Sequence, residues 1–201
     1  QQHDFLIVAD EVYHLLNYTV VPPPSFAVFL DSERVFSIGS FSKILAPGLR
    51  LGWIHTSPKL MQRILQKGLL ASGGGFNHFT SGIVRSVVEL GWQKQFLDEL
   101  KQIYQQRIEV LNKALHQHLP TTVKFNKPEG GYFFWLTLPE GIDGKRLLKT
   151  AVPHKVGFQP GVNFSSRGDF TNCIRLSFAF YHEAELIEGA QRLARALADY
   201  S

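Results

Sequence analysis

Ser37-Ile38-Gly39-Ser40-Phe41-Ser42-Lys43-Ile44-Leu45-Ala46-Pro47-Gly48-Leu49-Arg50-Leu51-Gly52-Trp53 gathers hydroxyls, one lysine, a Pro-Gly turn and one arginine between two apolar runs that read as strands. Loops at strand ends are where function concentrates, because a rigid sheet holds a few polar groups in place there. Before Met61 the only lysines are Lys43 and Lys59, so this stretch is not a generic charged surface.

Upstream, Phe5-Leu6-Ile7-Val8-Ala9 is continuously apolar, the pattern of a strand covered on both faces in a parallel sheet. It ends in Asp10-Glu11-Val12-Tyr13. A carboxylate at the C-terminal end of such a strand lies where open α/β sheets bind ligands, although a strand-end Asp also serves to cap the next turn. Tyr18 to Ser32, with Pro22-Pro23-Pro24, reads as a loop. Arg34 to Gly39 is the second expected strand and Leu49 to His55 the third, all three parallel.

Downstream, Ser57-Pro58 supplies an N-cap and a first-turn proline. Leu60, Met61, Ile64, Leu65 and Leu69 recur at helical spacing and predict one buried stripe, ended by Gly73-Gly74-Gly75. Phe79 to Leu90 reads as a helix with Asn77 or Ser81 near its start. From Gln93 to Leu119, the apolar residues Phe96, Leu97, Leu100, Ile103, Tyr104, Ile108, Leu111 and Leu115 predict one long amphipathic helix. After Pro120 come short strands at 122–125, 131–138, 156–159 and 173–179 with helices at 141–150 and 183–199, the texture of a small α+β domain. The expected organisation is 1–92, a connecting helix 93–119, and 120–201.

Composition bounds the rest. The chain of 201 residues is 44% hydrophobic and 19% charged, which is globular material. Its formal charge of +4 is scattered without a basic run, arguing against nucleic acid as a partner. The single cysteine, Cys173, excludes an internal disulfide framework, and a cytoplasmic setting is expected. No apolar run reaches the roughly 18 residues of a membrane span, and the start at Gln1 lacks a signal-peptide pattern.

Asp10-Glu11-Val12-Tyr13, the Ser40-to-Trp53 block, Pro128-Glu129-Gly130-Gly131-Tyr132-Phe133-Phe134-Trp135 and Cys173-Ile174-Arg175-Leu176-Ser177-Phe178 together resemble the class I/II aminotransferases, enzymes of fold type I dependent on pyridoxal 5'-phosphate. The last two blocks are most similar to the aminoadipate, kynurenine and aromatic branch. The resemblance implies the C-terminal part of a mostly parallel α/β large domain followed by a small α+β domain. It implies that Lys43 forms the Schiff base with the cofactor and shuttles a proton. Asp10 is implied to pair with the pyridine nitrogen and Tyr13 to hydrogen-bond the ring oxygen. Ser40 and Arg50 are implied to hold the phosphate, with Ser42 assisting or facing the core, and Arg175 to bind the substrate carboxylate. No metal ligand is implied. Glu11, Asn17 and Tyr18 are read as solvated or loop residues.

Family members are roughly twice as long. The glycine-rich phosphate turn, the ring stacked on the cofactor and an asparagine at its ring oxygen have no counterpart here, so the chain is expected to be the C-terminal half of an aminotransferase. Amino acid and 2-oxo acid substrates, and a homodimer or pairing with the N-terminal half, are what the resemblance implies. Another fold type I reaction, such as decarboxylation or acyl transfer, and a non-catalytic binding module are the competing readings.

Overall fold

The computed structural model describes residues 3, 5–19, 21–73 and 76–200. The chain divides into two compact units, 1–101 and 102–201, and the division falls within one long helix.

The first unit is built on a three-stranded sheet of β1 (Ile7–Asp10), β2 (Val35–Ser40) and β3 (Gly52–Thr56), in that order. β1 runs parallel to β2, with Asp10 opposite Ile38; β3 runs antiparallel to β2, with Ser40 opposite Gly52. The expectation of three parallel strands is therefore corrected. Only a short helix, α1 (Phe41–Ile44), and a 3₁₀ turn, Pro47–Leu49, separate β2 from β3. So short a connection reverses the chain, whereas a parallel return needs a crossover of a dozen or more residues.

β1 is also not covered on both faces among the described residues. Side chains alternate across a strand, so Val8 and Asp10 share one face with Ile54, and all three are exposed. The opposite face buries Val35, Ser37 and Gly39. Two successive 3₁₀ turns, Phe26–Ser32, lie within the segment read as loop.

Ser57 caps α2 (Pro58–Leu65) by accepting a hydrogen bond from the Leu60 amide at 3.3 Å. The single helix expected from Ser57 onward is broken: α3 (Gly68–Gly73) follows as a separate element. The predicted buried stripe is corrected with it. Leu60 is buried, Met61 and Ile64 are half-buried, and Leu65 is 56% exposed; the Leu69 side chain and Gly74-Gly75 lie outside the described residues. α4 (His78–Glu89) buries only Val84, and α5 (Trp92–His118) is the long amphipathic helix.

The second unit is a four-stranded antiparallel sheet in the order β4 (Lys124–Phe125), β5 (Phe133–Thr137), β7 (Cys173–Ser177), β6 (Gln159–Pro160). α6 (Gly144–Ala151), capped by the Asp143 carboxylate on the Arg146 amide at 2.9 Å, and α7 (Glu183–Ala198) complete it. Its core is continuous: Leu115, Phe134, Leu136, Leu147, Ile174, Phe178, Leu193 and Ala196 are almost wholly buried. Each such large apolar side chain contributes roughly 1.5–3 kcal/mol of transfer free energy. Of the aromatics near the strands, Phe158 joins this core, whereas Phe180 and Tyr181 are exposed and stack edge to face at 5.2 Å.

Candidate active site

The register of the first sheet brings five of the six predicted residues to one end. Asp10 closes β1 two positions short of the level of Ser40, because Asp10 pairs with Ile38 in parallel register. Ser40 closes β2 and Gly52, its antiparallel partner, opens β3, so Arg50 stands two residues before that partner. This is the carboxyl end of the parallel pair, where open α/β sheets take their ligands.

Ser40 is extended (φ −147°, ψ 131°) and caps α1, accepting a hydrogen bond from the Ser42 amide at 3.2 Å. The hydroxyl hydrogen remains available to donate. α1 then carries Lys43 half-buried on its single turn, while Ser42 and Ile44 face inward. The Lys43 ammonium lies 6.0 Å from the centroid of the Tyr13 ring, which sits in the turn after β1. Two residues thirty positions apart are thereby brought together.

Arg50 ends the 3₁₀ turn in the left-handed region (φ 49°, ψ 41°), a conformation uncommon for a side-chain-bearing residue. Its guanidinium donates to the Pro47 carbonyl at 3.4 Å and is otherwise exposed. The strained turn has a clamp: Asn77 Nδ2 donates to the carbonyls of Leu49, at 3.1 Å, and of Arg50, at 3.4 Å. Sequence reasoning placed Asn77 only as a helix start, and nothing local announces that its amide reaches back across the unit.

Glu11 is the clearest departure. Read as solvated, it is 14% exposed and takes three hydrogen bonds: Ser37 Oγ at 2.5 Å and Ser25 Oγ at 2.8 Å on Oε2, and the Phe26 amide at 3.0 Å on Oε1. Burial alone would raise its pKa. The donors from Ser37, Ser25 and Phe26, with His14 at 4.0 Å, outweigh that and hold the carboxyl below its ordinary range. Asn17 is likewise engaged, its Oδ1 accepting from Lys101 Nζ at 3.1 Å.

Arg175 belongs to the second unit, on β7 opposite Trp135 of β5 and Gln159 of β6. Its guanidinium carbon lies 3.8 Å from the Phe133 ring centroid and 4.2 Å from that of Phe164. The side chain does not snorkel outward: it is half-buried, and its Nε is buried without a hydrogen-bond partner among the described residues. It borders a cavity of about 770 Å³ whose wall includes Gln159, Tyr181 and Lys155. A buried charged donor with no acceptor is costly, and an anion placed there would relieve it.

Residues 1–193 match the family model "Aminotransferase class I and II". The chain belongs to this family, and its architecture is that of the fold type I transferases. It is 37% identical to the aromatic-amino-acid aminotransferase 1 of Thermococcus litoralis over 198 residues, 98% of this chain and 47% of that protein. Among solved structures it superposes on the multiple substrate aminotransferase of Thermococcus profundus with a TM-score of 0.90 at 36% identity, covering 99% of this chain and 49% of that one. The α-aminoadipate aminotransferase of Thermus thermophilus, solved with N-(5'-phosphopyridoxyl)-L-leucine, gives a TM-score of 0.88 at 28% identity, covering 96% and 50%. The chain thus spans about half the length of the relatives it matches. Among the described residues no helix is long and apolar enough to cross a membrane.

Proposed function

We propose that this chain carries the lysine-bearing half of a pyridoxal 5'-phosphate-dependent aminotransferase, which moves an amino group from an amino acid to a 2-oxo acid. The observation that carries the reading is the meeting of Lys43 and Tyr13 at the sheet end where Asp10, Ser40 and Arg50 also converge. The donor set fits the cofactor. A free hydroxyl hydrogen on Ser40 and an exposed guanidinium on Arg50 suit a phosphate, and the exposed Asp10 carboxylate suits a protonated ring nitrogen.

When bound, pyridoxal phosphate supplies an aldehyde and an electron-withdrawing ring that stabilises negative charge at an amino acid's α-carbon. Lys43 Nζ would hold the aldehyde and, once released by the incoming amino acid's amine, would move the proton at the substrate's α-carbon. Asp10 would keep the ring nitrogen protonated, Tyr13 would donate a hydrogen bond to the ring oxygen, and Ser40 and Arg50 would hold the phosphate. Arg175, flattened between Phe133 and Phe164, offers a planar fork to the substrate carboxylate; its unpartnered Nε supports that role.

In the complete protein a further segment of about equal length closes the site, on the same chain or on a partner, and the assembly is a homodimer. Among the described residues β1 and β3 each pair on one side only, and Val8, Ile54, Phe76, Phe79 and Trp92 are exposed apolar groups in the first unit. Unpaired edges and bare apolar faces are surfaces that proteins cover. Amino acid metabolism in the cytoplasm is the setting this reading implies.

Adding pyridoxal phosphate to the purified chain should produce a visible absorbance band that is absent in Lys43→Ala. A wild type without that band would remove this chain from cofactor binding. For the complete protein, an amino acid plus 2-oxoglutarate should yield glutamate. Carbon dioxide release without glutamate would instead indicate a decarboxylase.

A further inference from the structure

We propose that Glu11 is a positioning residue for the cofactor site: its carboxylate, bound by Ser37, Ser25 and the Phe26 amide, fixes the turn that presents Asp10 and Tyr13. The inference rests on the cofactor reading above and adds a residue that touches neither cofactor nor substrate.

The geometry places Glu11 between the two groups it would serve. Its amide donates to the Ile38 carbonyl at 2.9 Å, which extends the parallel ladder one step past Asp10. Its carbonyl accepts from the His14 amide at 2.9 Å, and the Tyr13 carbonyl accepts from the Leu16 amide at 2.9 Å, so Tyr13 rides on a turn that begins at Glu11. The side chain adds a second attachment, to Ser37 in the middle of β2 and to Ser25-Phe26 at the start of the 3₁₀ segment.

Chemistry favours a carboxylate in this place. Two hydroxyls converge on Oε2 and an amide on Oε1, so every contact is a donor aimed at an acceptor. Charge-assisted bonds of this kind are shorter and stronger than neutral ones. The group borders a cavity of about 130 Å³ whose wall also includes His14, His55 and Trp53. Ser37, the deepest of the donors, is 5% exposed and pairs with Ala9 on the strand that ends in Asp10. A displacement of about 1 Å in a cofactor-contacting group is enough to cost substantial function, which gives such a brace a purpose.

The test compares wild type, Glu11→Ala and Glu11→Gln in the full chain with pyridoxal phosphate. Two readouts are the dissociation constant, taken from the visible band, and the pH at which that band changes form. Glu11→Ala should bind about tenfold more weakly and shift the pH midpoint of the band, because Tyr13 no longer meets the ring oxygen from a fixed place. Glu11→Gln keeps the shape and an acceptor for the Phe26 amide, and the serine hydroxyls can rotate to accept from its NH₂, so it should restore most of both. Hydrogen exchange of the Phe26, His14 and Leu16 amides should quicken in Glu11→Ala alone. If Glu11→Ala quickens exchange yet leaves affinity and pH midpoint at wild-type values, Glu11 only stabilises the fold and the proposal is overturned. A wild type lacking the band overturns the cofactor reading and this inference together, an outcome distinct from a wild-type band that Glu11→Ala leaves unchanged.

Discussion

The guanidinium of Arg175 is held between two rings, 3.8 Å from the centroid of Phe133 and 4.2 Å from that of Phe164. Stacking fixes the plane of the guanidinium, and its buried Nε has no hydrogen-bond partner among the described residues. A planar, permanently charged group in this state suits a carboxylate better than a flexible ammonium does.

Arg175→Lys should therefore weaken binding of a 2-oxo acid, measured by calorimetry with 2-oxoglutarate on the full chain, by about tenfold or more. Phe164→Leu should cost less, on the order of 0.5–1 kcal/mol, since one cation–π face is lost and the charge remains. Unchanged affinity in Arg175→Lys would remove the carboxylate role from this residue.

Asn77 predicts a separate effect on the phosphate. Its amide ties the two carbonyls that flank the Arg50 Cα, those of Leu49 and Arg50, with Arg50 in the left-handed region. Asn77→Ala frees that turn and should reduce affinity for pyridoxal phosphate severalfold, by about 1 kcal/mol. The Lys43-dependent absorbance band should persist at saturation, because the lysine lies on a different segment.

Gly39 tests the wall behind the site. A Cβ there would fall 2.1 Å from carbons of the Trp53 ring, which also packs on Phe41 at 4.8 Å between centroids. Gly39→Ala must push that ring aside. It should destabilise the first unit by roughly 1–3 kcal/mol in urea unfolding followed by tryptophan fluorescence. A change below about 0.5 kcal/mol would mean that Trp53 moves freely.

Glu11 carries a pH signature of its own. Its folded pKa is depressed, so its contribution to stability is fully present above the unfolded value, about 4.3, and is lost as pH falls through the lower folded value. Wild type should exceed Glu11→Gln in unfolding free energy at pH 7, and the two curves should converge in acid. Parallel curves throughout would show that the carboxylate charge is not what the Ser37 and Ser25 hydroxyls recognise.

Much of the site was legible in the sequence because it is local. Ser40, Lys43 and Arg50 lie within one short connection, so hydroxyl, amine and guanidinium reach the same sheet end whatever the remainder of the chain does. Asp10 stands where an apolar run ends in a carboxylate, and the helix cap expected at Ser57 acts through an amide only three residues away. Residue chemistry at short range carries its own address.

What depends on distant partners could not be read this way. The antiparallel course of β3, the bare outer face of β1, and the exposure of Leu65 reflect which surfaces the fold covers, and alternation or helical spacing reports only which surfaces are apolar. Glu11 looks like any acidic residue in a turn until Ser25, Phe26 and Ser37 are folded onto it, across sequence separations of 14, 15 and 26 residues. Asn77 and the two rings around Arg175 are of the same kind. The sequence determined which groups this protein brings to its chemistry and the short segments that bear them. The tertiary structure alone decided which groups hold those segments still, because a brace is a relation between residues far apart along the chain.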